Sequence, residues 1–223
     1  MEVDIQITDD GSQTIYVPSL DEHYHSVKGA LTESLHIFIK TGLQHHPSPS
    51  PRVLEIGFGT GLNALLTIEV ALRGRDIRYT TLERYPLSSE IVKQMDYARL
   101  VEENTAHYYQ QIHDAQWNEW VDIIPTFHIR KIETDFTTYE FKDRYDVIYY
   151  DAFAPEKQPE MWSQEIFNRM YECLDENGIL VTYCAKGIAR RMLQAAGFKV
   201  ERLQGPPGGK REILRATKTV VTL

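Results

Sequence analysis

The chain has 223 residues, of which 42% are hydrophobic and 25% charged, a composition that excludes a disordered polymer and suits one sizeable core. No apolar run approaches the roughly 18 residues that a membrane span needs, and the acidic N-terminus lacks the apolar segment of a secretory signal. With only two cysteines, Cys173 and Cys184, and no CxxC pair, the sequence predicts a cytoplasmic protein.

The charge is unevenly distributed along the chain. The formal net charge is −8, yet residues 184–223 hold nine lysines and arginines and two glutamates. An overall negative charge argues against a nucleic-acid partner, whereas cations gathered on one face can still bind a polyanion. Charge alone leaves two interpretations of this segment open, a solvated surface and a binding face.

Residues 1–50 are predicted to form an N-terminal extension that packs on the main domain, which spans 51–223. A hairpin is predicted at the very start of the extension, and apolar residues at helical spacing predict an amphipathic helix over 29–42. The proline- and serine-rich stretch 45–51 indicates an exposed connector, because proline cannot continue a helix.

Beyond the connector, predicted strands and helices alternate. The predicted strands occupy residues 52–56, 77–83, 126–132, 145–150, 179–184, 198–203 and 212–218. The predicted helices occupy residues 62–72, 87–100, 105–113, 164–174 and 188–196. This alternation predicts a Rossmann-like α/β fold, a parallel sheet with helices on both faces. The last two strands have no helix between them, and such an antiparallel ending is typical of the seven-stranded S-adenosylmethionine-dependent methyltransferase sheet.

A glycine-rich turn after the first of these strands indicates a cofactor site. The stretch from Glu55 to Asn63 places Gly57, Gly59 and Gly61 where a strand passes into a helix. Glycines allow a tight turn and close approach of the backbone to a ligand. The spacing differs from the dinucleotide and P-loop fingerprints, and Glu55 would repel a pyrophosphate. A carboxylate suits the cationic methionine end of S-adenosylmethionine, the predicted cofactor; an ordinary strand–helix turn is the alternative.

Two acidic residues extend this predicted site. Glu83 ends the next strand, roughly 20 residues after the glycines, where a carboxylate can accept hydrogen bonds from both ribose hydroxyls. Enzymes that use NAD share this feature, so Glu83 does not separate the two cofactors. Asp135 follows a later strand, at a place where methyltransferases often receive the adenine amino group; a polar loop is the alternative.

A carboxylate is also expected at the reacting centre. The apolar strand 145–150 delivers Asp151 to its carboxyl end. Methyl transfer to an amine needs a neutral lone pair held in line at about 3 Å, and an alkylammonium, whose pKa is near 10, must first lose a proton. A carboxylate can orient the amine and stabilise the cation that forms, so Asp151 is the predicted catalytic residue. A helix cap or turn residue is the alternative.

Other side chains are candidates for contacts with the substrate. Phe153 and Trp162 either stack on a planar base or pack in the core, and the sequence does not separate these alternatives. Tyr24 and Ser26 are candidates for closing over the site from the extension. The histidines of the extension match no zinc spacing and have no cysteine partner, so no metal site is predicted.

Three stretches together resemble a known family. The glycine motif, the segment Asp151-Ala-Phe-Ala-Pro-Glu-Lys-Gln-Pro-Glu-Met-Trp162 and the tail from Ala195 to Glu212 are similar to the tRNA 5-aminomethyl-2-thiouridine methyltransferases. The second stretch is the specific one. In many bacteria this activity is one half of the bifunctional MnmC enzymes, whose other half is a flavin oxidase. The chain resembles a stand-alone, MnmD-like form, for which no fused oxidase is expected.

The resemblance implies methylation of the aminomethyl group on the wobble uridine, in the anticodon loop of certain tRNAs, where a base is reachable without opening a duplex. From motifs and resemblance together, the cofactor site is assigned to Glu55, Gly57, Gly59, Gly61, Asn63, Glu83, Asp135 and Asp151. The substrate contacts are assigned to Tyr24, Ser26, Phe153, Trp162, Lys186, Arg190, Arg191, Lys210 and Arg211. The basic residues among them suit a tRNA backbone.

Two alternatives stay open. A methyltransferase or aminopropyltransferase that acts on a small amine would suit the net acidity of the chain. A non-catalytic module that binds S-adenosylmethionine is the other alternative, and the intact segment around Asp151 argues against it.

Overall fold

The computed structural model of the chain describes residues 3–219. Its strands are β1 (Asp4–Ile7), β2 (Gln13–Val17), β3 (Glu22–His23), β4 (Arg52–Ile56), β5 (Ile77–Glu83), β6 (Trp120–Ile124), β7 (Phe127–Glu133), β8 (Tyr145–Tyr150), β9 (Leu174–Thr182), β10 (Lys199–Gln204) and β11 (Glu212–Thr217). Its α-helices are α1 (Ala30–Ser34), α2 (Leu62–Leu72), α3 (Ser89–Val92), α4 (Glu103–Ala106), α5 (Tyr108–Asp114), α6 (Gln164–Cys173) and α7 (Gly187–Ala195). None of the helices in this part of the chain has the length and apolar character needed to cross a bilayer.

One mixed sheet forms the centre of the fold, in the strand order β10-β11-β9-β8-β4-β5-β7-β6. The five strands from β9 to β7 run parallel. The outer strands β11, β10 and β6 run antiparallel to their neighbours. The predicted α/β fold and its antiparallel ending are confirmed. The sheet has eight described strands instead of the predicted seven, because the short edge strand β6 is half-exposed and has no long apolar run.

Side chains of the central strands alternate between two hydrophobic cores, as expected for strands covered on both faces. Along β8, Val147 and Tyr149 pack in the first core, to which α2 and α5 also contribute. Ile148 and Tyr150 pack in the second core, against α6 and α7. The sheet is therefore held rigidly between two layers, which fixes the positions of its strand ends.

The N-terminal extension contributes to the first core. β1, β2 and β3 form a small antiparallel sheet, as the predicted hairpin requires. The predicted helix is present, but it begins as α1 and continues as a π-helix over Leu35–Leu43. That helix approaches the main sheet closely, since a Cβ on Gly42 would lie 2.9 Å from the Val181 side chain. The division of the chain near residue 50 remains a prediction.

The single helix predicted over 87–100 is wrong. The chain instead forms α3, a turn, and a 3-10 helix over Tyr97–Leu100. Gln13 of β2 explains the break: its side chain accepts a hydrogen bond from the Asp96 backbone at 2.6 Å, and its carbonyl accepts one from the Tyr97 hydroxyl at 2.7 Å. Contacts with the extension thus override the local helical pattern.

Candidate active site

The site lies at the carboxyl ends of β4 and β8, two adjacent parallel strands from which the chain continues in opposite directions. Open α/β sheets bind ligands in the crevice at such a point. Gly57 follows β4 and Asp151 follows β8, and the Asp151 backbone N–H donates to the carbonyl of Ile56 at 3.2 Å. The glycine turn and the predicted catalytic carboxylate are therefore neighbours, although 94 residues separate them in sequence.

A cavity of about 360 Å³ opens over the glycine turn, and we name it the cofactor cavity. Gly57, Gly59 and Gly61 have φ values of 90°, 50° and 75°, which L side chains rarely adopt. A Cβ on Gly57 would lie 3.2 Å from the carbonyl oxygen of Asp151, and one on Gly59 would lie 3.0 Å from the Tyr24 ring. Gly57 and Gly59 therefore present bare backbone to the cavity, as close contact with a ligand requires, whereas Gly61 lies outside the lining, where a Cβ would be 2.8 Å from His113.

Glu83 and Asp135 line the same cavity. Glu83 is oriented by the backbone, because its two carboxylate oxygens accept hydrogen bonds from the N–H groups of Gly59 at 3.0 Å and Tyr85 at 2.8 Å. Hydrogen bonds from Thr137 hold the pKa of Asp135 below its usual value. Asp135 also pairs with Arg84 at 2.8 Å, so an adenine amino group would have to share this carboxylate with a guanidinium.

Glu55 lies beneath the glycine turn, fully buried and outside the lining of the cofactor cavity. One carboxylate oxygen accepts a hydrogen bond from the Thr81 hydroxyl at 2.7 Å, and the other has no partner among residues 3–219. Burial raises the pKa of Glu55 to about 8. Its assigned contact with the cofactor remains a prediction.

Asp151 lines the cofactor cavity and also a second one. Its carboxylate accepts a hydrogen bond from the side-chain amide of Asn63 at 3.0 Å, which places Asn63 beneath the reacting centre. Burial, followed by the charge of Glu33, raises the pKa of Asp151 to about 7, against the opposing effects of Asn63 and Lys210. The carboxylate is thus able to exchange a proton near neutral pH.

The second cavity, of about 580 Å³, lies between the extension and the C-terminal hairpin, and we name it the acceptor cavity. Its carboxylates are Glu22, Glu33, Asp151 and Glu212, and its cations are Lys186 and Lys210. Tyr24 and Phe153 line both cavities, with their rings perpendicular and their centroids 5.3 Å apart. An acceptor amine and the cofactor would therefore meet beside this aromatic pair and Asp151.

Of the remaining aromatic and polar candidates, one lies in the acceptor cavity and one lies outside both cavities. Ser26 lines the acceptor cavity, and its backbone N–H donates to Glu33 at 3.1 Å. Trp162 is buried outside both cavities: its indole N–H donates to the Phe153 carbonyl at 2.8 Å, and its ring packs against Tyr150. This position fits the packing interpretation of Trp162, which holds the segment that follows Asp151.

The basic candidates are dispersed. Lys186 and Lys210 line the acceptor cavity, where they pair with Glu156 and Glu33 respectively. Arg190, Arg191 and Arg211 lie outside both cavities, and the last two are exposed. Further cations of the C-terminal segment pair within the fold, in Arg202–Glu212 and Arg215–Glu201. Because several of its cations pair with carboxylates, the C-terminal segment presents less net positive charge at the surface than its sequence suggests.

Two residues of the site were absent from the sequence-based assignments. Glu33 is buried on α1, one turn from Ala30 on the same apolar stripe, and a charge at such a position was a detectable signal. His25 lines both cavities with only 8% of its surface exposed, and burial lowers its pKa to about 4. No group of three or more metal-ligating side chains occurs in the described part of the chain.

The burial of Glu55 predicts a pH-dependent stability. Its pKa is about 8 in the folded protein against an ordinary value of 4.5, so between these values the folded state holds a proton that the unfolded state has released. The free energy of unfolding therefore falls as the pH rises through this window. Replacing Glu55→Gln is expected to raise the melting temperature at pH 9 more than at pH 5. The exposed Glu140→Gln variant serves as control, and an equal effect of Glu55→Gln at both pH values would contradict the assignment.

Comparison with known proteins agrees with this geometry. Residues 95–219 match a family described as S-adenosyl-L-methionine-dependent methyltransferase. The tRNA 5-methylaminomethyl-2-thiouridine biosynthesis bifunctional protein MnmC of Burkholderia multivorans is 30% identical over 227 residues, which cover 92% of this chain and 33% of that protein. The protein of the same name from Cupriavidus metallidurans is 29% identical, over 93% of this chain and 32% of that protein. The chain thus spans about a third of the length of these relatives.

Solved structures share the fold. MNMC2 from Aquifex aeolicus superposes with a TM-score of 0.81 at 24% identity, covering 100% of this chain and 72% of that one. Spermidine synthase from Thermotoga maritima gives a TM-score of 0.55 at 16% identity, with coverages of 98% and 72%. The predicted cofactor and enzyme class are confirmed by the family match, which covers more than half of the sequence. The chain belongs to the S-adenosyl-L-methionine-dependent methyltransferases.

Proposed function

We propose that the chain methylates the aminomethyl group of 5-aminomethyl-2-thiouridine, or its unthiolated form, at the wobble position of tRNA. The observation that carries the proposal is the position of Asp151, one ionisable carboxylate that lines both the cofactor cavity and the acceptor cavity. The relatives named for tRNA 5-methylaminomethyl-2-thiouridine biosynthesis support this substrate, since they match nine-tenths of the chain.

The residues account for each part of the reaction. Bound S-adenosylmethionine supplies an electrophilic methyl group on a sulfonium. Asp151 accepts a hydrogen bond from the acceptor ammonium and takes one of its protons, which frees the nitrogen lone pair. The new N–C bond forms as the C–S bond breaks, so that the positive charge passes from sulfur to nitrogen beside the Asp151 site. A pKa of about 7 at Asp151 narrows the gap to an alkylammonium near 10, which favours this proton transfer.

A second candidate is a methyltransferase or aminopropyltransferase that acts on a small amine. The acidic lining of the acceptor cavity favours it, because a free polyamine carries several cations that separate carboxylates would bind. The two candidates share the chemistry at Asp151 and differ in the molecule that bears the amine.

Methyl transfer from labelled S-adenosylmethionine into total tRNA from cells lacking this activity tests the proposal. Nucleoside analysis is expected to find the label in 5-methylaminomethyl uridines, and digestion of the tRNA with RNase before the reaction should abolish it. Label that appears only in a small-molecule fraction, with or without RNase, would favour the second candidate.

If tRNA is the substrate, exposed cations near the acceptor cavity should hold its backbone. Arg191 lies on α7, which begins next to Lys186 of that cavity, and Arg211 follows Lys210 of the same cavity; both arginines are exposed. Replacing both by Glu is expected to weaken tRNA binding and to make it less dependent on salt. The magnitude of the slope of log K against log salt concentration should fall by roughly 1.5 to 2. The matched charge reversal uses Lys40 and Lys93, which are exposed elsewhere. Equal losses from both pairs would refute a local contact, and S-adenosylmethionine affinity should be unchanged in each.

A further inference from the structure

An ion pair between a buried carboxylate and a partly exposed ammonium joins the extension to the C-terminal hairpin at the acceptor cavity. A Glu33 carboxylate oxygen lies 3.0 Å from the Lys210 ammonium, and these side chains are 7% and 39% exposed. Glu33 belongs to α1, whereas Lys210 belongs to the loop between β10 and β11. The second Glu33 oxygen accepts the Ser26 backbone N–H at 3.1 Å, so both oxygens of this carboxylate are engaged.

One aromatic residue links the pair to the residue that follows Asp151. The Lys210 ammonium lies 4.0 Å from the centre of the Tyr183 ring. The Tyr183 hydroxyl donates at 2.8 Å to the carbonyl of Ala152, the residue that follows Asp151. Glu33, Lys210, Tyr183 and Asp151 all line the acceptor cavity. The ion pair therefore has a fixed position relative to the reacting carboxylate.

Other charged and titratable groups surround Asp151. In the acceptor cavity these are Glu22, His23, His25, Lys186 and Glu212. On the other side are Glu55 below the glycine turn and, around the cofactor cavity, Glu83, Arg84, Asp135, Lys157 and Glu160. Among all of them, the charges that act most on Asp151 are those of Glu33 and Lys210, and they act in opposite directions.

We propose that Glu33 and Lys210 form a positioning pair that sets the charge state of Asp151, and hence the pH at which the acceptor amine can give up its proton. The proposal concerns the carboxylate itself, so it rests on the methyltransferase chemistry of the site and not on tRNA as the acceptor. Neither residue is required to touch the substrate for this role.

Because Glu33 and Lys210 carry opposite charges, replacing one or the other should shift the pKa of Asp151 in opposite directions. A purely structural contact would not produce opposite shifts. Lys210→Met removes the cation and leaves Glu33, which disfavours ionisation of Asp151. Glu33→Gln removes the anion and leaves Lys210, which favours ionisation, while the amide oxygen still accepts the Ser26 N–H. The double variant loses both influences and should return toward the wild type.

The experiment is a pH titration of the protein labelled with ¹³C at aspartate side-chain carboxyls and followed by NMR. The Asp151 signal is assigned by its loss in Asp151→Asn. We expect its apparent pKa to rise by about 1 unit in Lys210→Met and to fall by about 1 unit in Glu33→Gln. Lys28→Met, which removes an exposed lysine of the extension paired with Asp9, should leave it unchanged, and Lys210→Arg should titrate as the wild type.

Shifts of the same sign in both single variants, or no shift in either, would overturn the proposal. Circular dichroism and thermal unfolding verify that each variant is folded, and Lys210→Arg separates the charge of residue 210 from its packing. Opposite shifts obtained with a protein that fails to label tRNA would support the pair's role while refuting the tRNA acceptor, so the two failures are distinguishable.

Discussion

Replacing Asp151→Ala is expected to lower kcat for methyl transfer by about 10²–10⁴-fold, with little change in the affinity for S-adenosylmethionine. The variant removes the carboxylate that would take the proton and face the new cation, whereas the cofactor cavity keeps its glycine turn, Glu83 and Asp135. Single-turnover transfer and calorimetric binding of S-adenosylmethionine separate the two quantities.

Asp151→Asn is the matched control for shape. An asparagine can still accept the hydrogen bond that the Asn63 amide donates at 3.0 Å, but it carries no charge and accepts no proton. It is therefore expected to be nearly as inactive as the alanine variant. Undiminished turnover in Asp151→Ala would remove this residue from the chemistry, and an active Asp151→Asn would show that orientation matters more than charge.

Replacing Gly57→Val is expected to weaken S-adenosylmethionine binding by roughly 100-fold or more, equivalent to about 2.7 kcal/mol. Gly57 has a φ of 90°, and a Cβ there would lie 3.2 Å from the Asp151 carbonyl at the floor of the cofactor cavity. A β-branched side chain would both strain the turn and occupy space that the ligand needs.

Gly74→Val separates these two effects. Gly74 has a φ of 101°, but a Cβ there meets nothing within 4 Å, and the residue lies outside both cavities. Both variants should lose thermal stability through backbone strain, and only Gly57→Val should lose the ligand. A Gly57→Val protein that binds S-adenosylmethionine normally would show that the turn is not in contact with it.

Sequence alone predicted the features that depend on neighbouring residues. The strand, glycine turn and helix from Arg52 to Leu72 appear in the structure with the predicted bounds, because a buried strand, three glycines and an apolar helix follow one another locally. The same holds for the strand that delivers Asp151. Position at a strand end also brought Glu83 and Asp135 into one cavity, since carboxyl ends of parallel strands meet at one edge.

The features that escaped prediction depend on contacts between distant segments. Gln13 breaks the helix expected near Asp96, and no local pattern signals a partner 83 residues away. Likewise, the pairing of Lys210 with Glu33 spans 177 residues, and the local sequence around Lys210 indicates only a basic segment. Trp162 left packing and stacking open because an indole suits both, and only its hydrogen bond to Phe153 places it.

The two cavities differ in how much of the chain supplies their lining residues. Every lining residue of the cofactor cavity lies between Ser19 and Met161, whereas the acceptor cavity also needs Lys210 and Glu212. During synthesis, the residues that line the donor pocket are therefore all made before the last strands, whereas the pocket for the amine is complete only when the final hairpin lies against the extension.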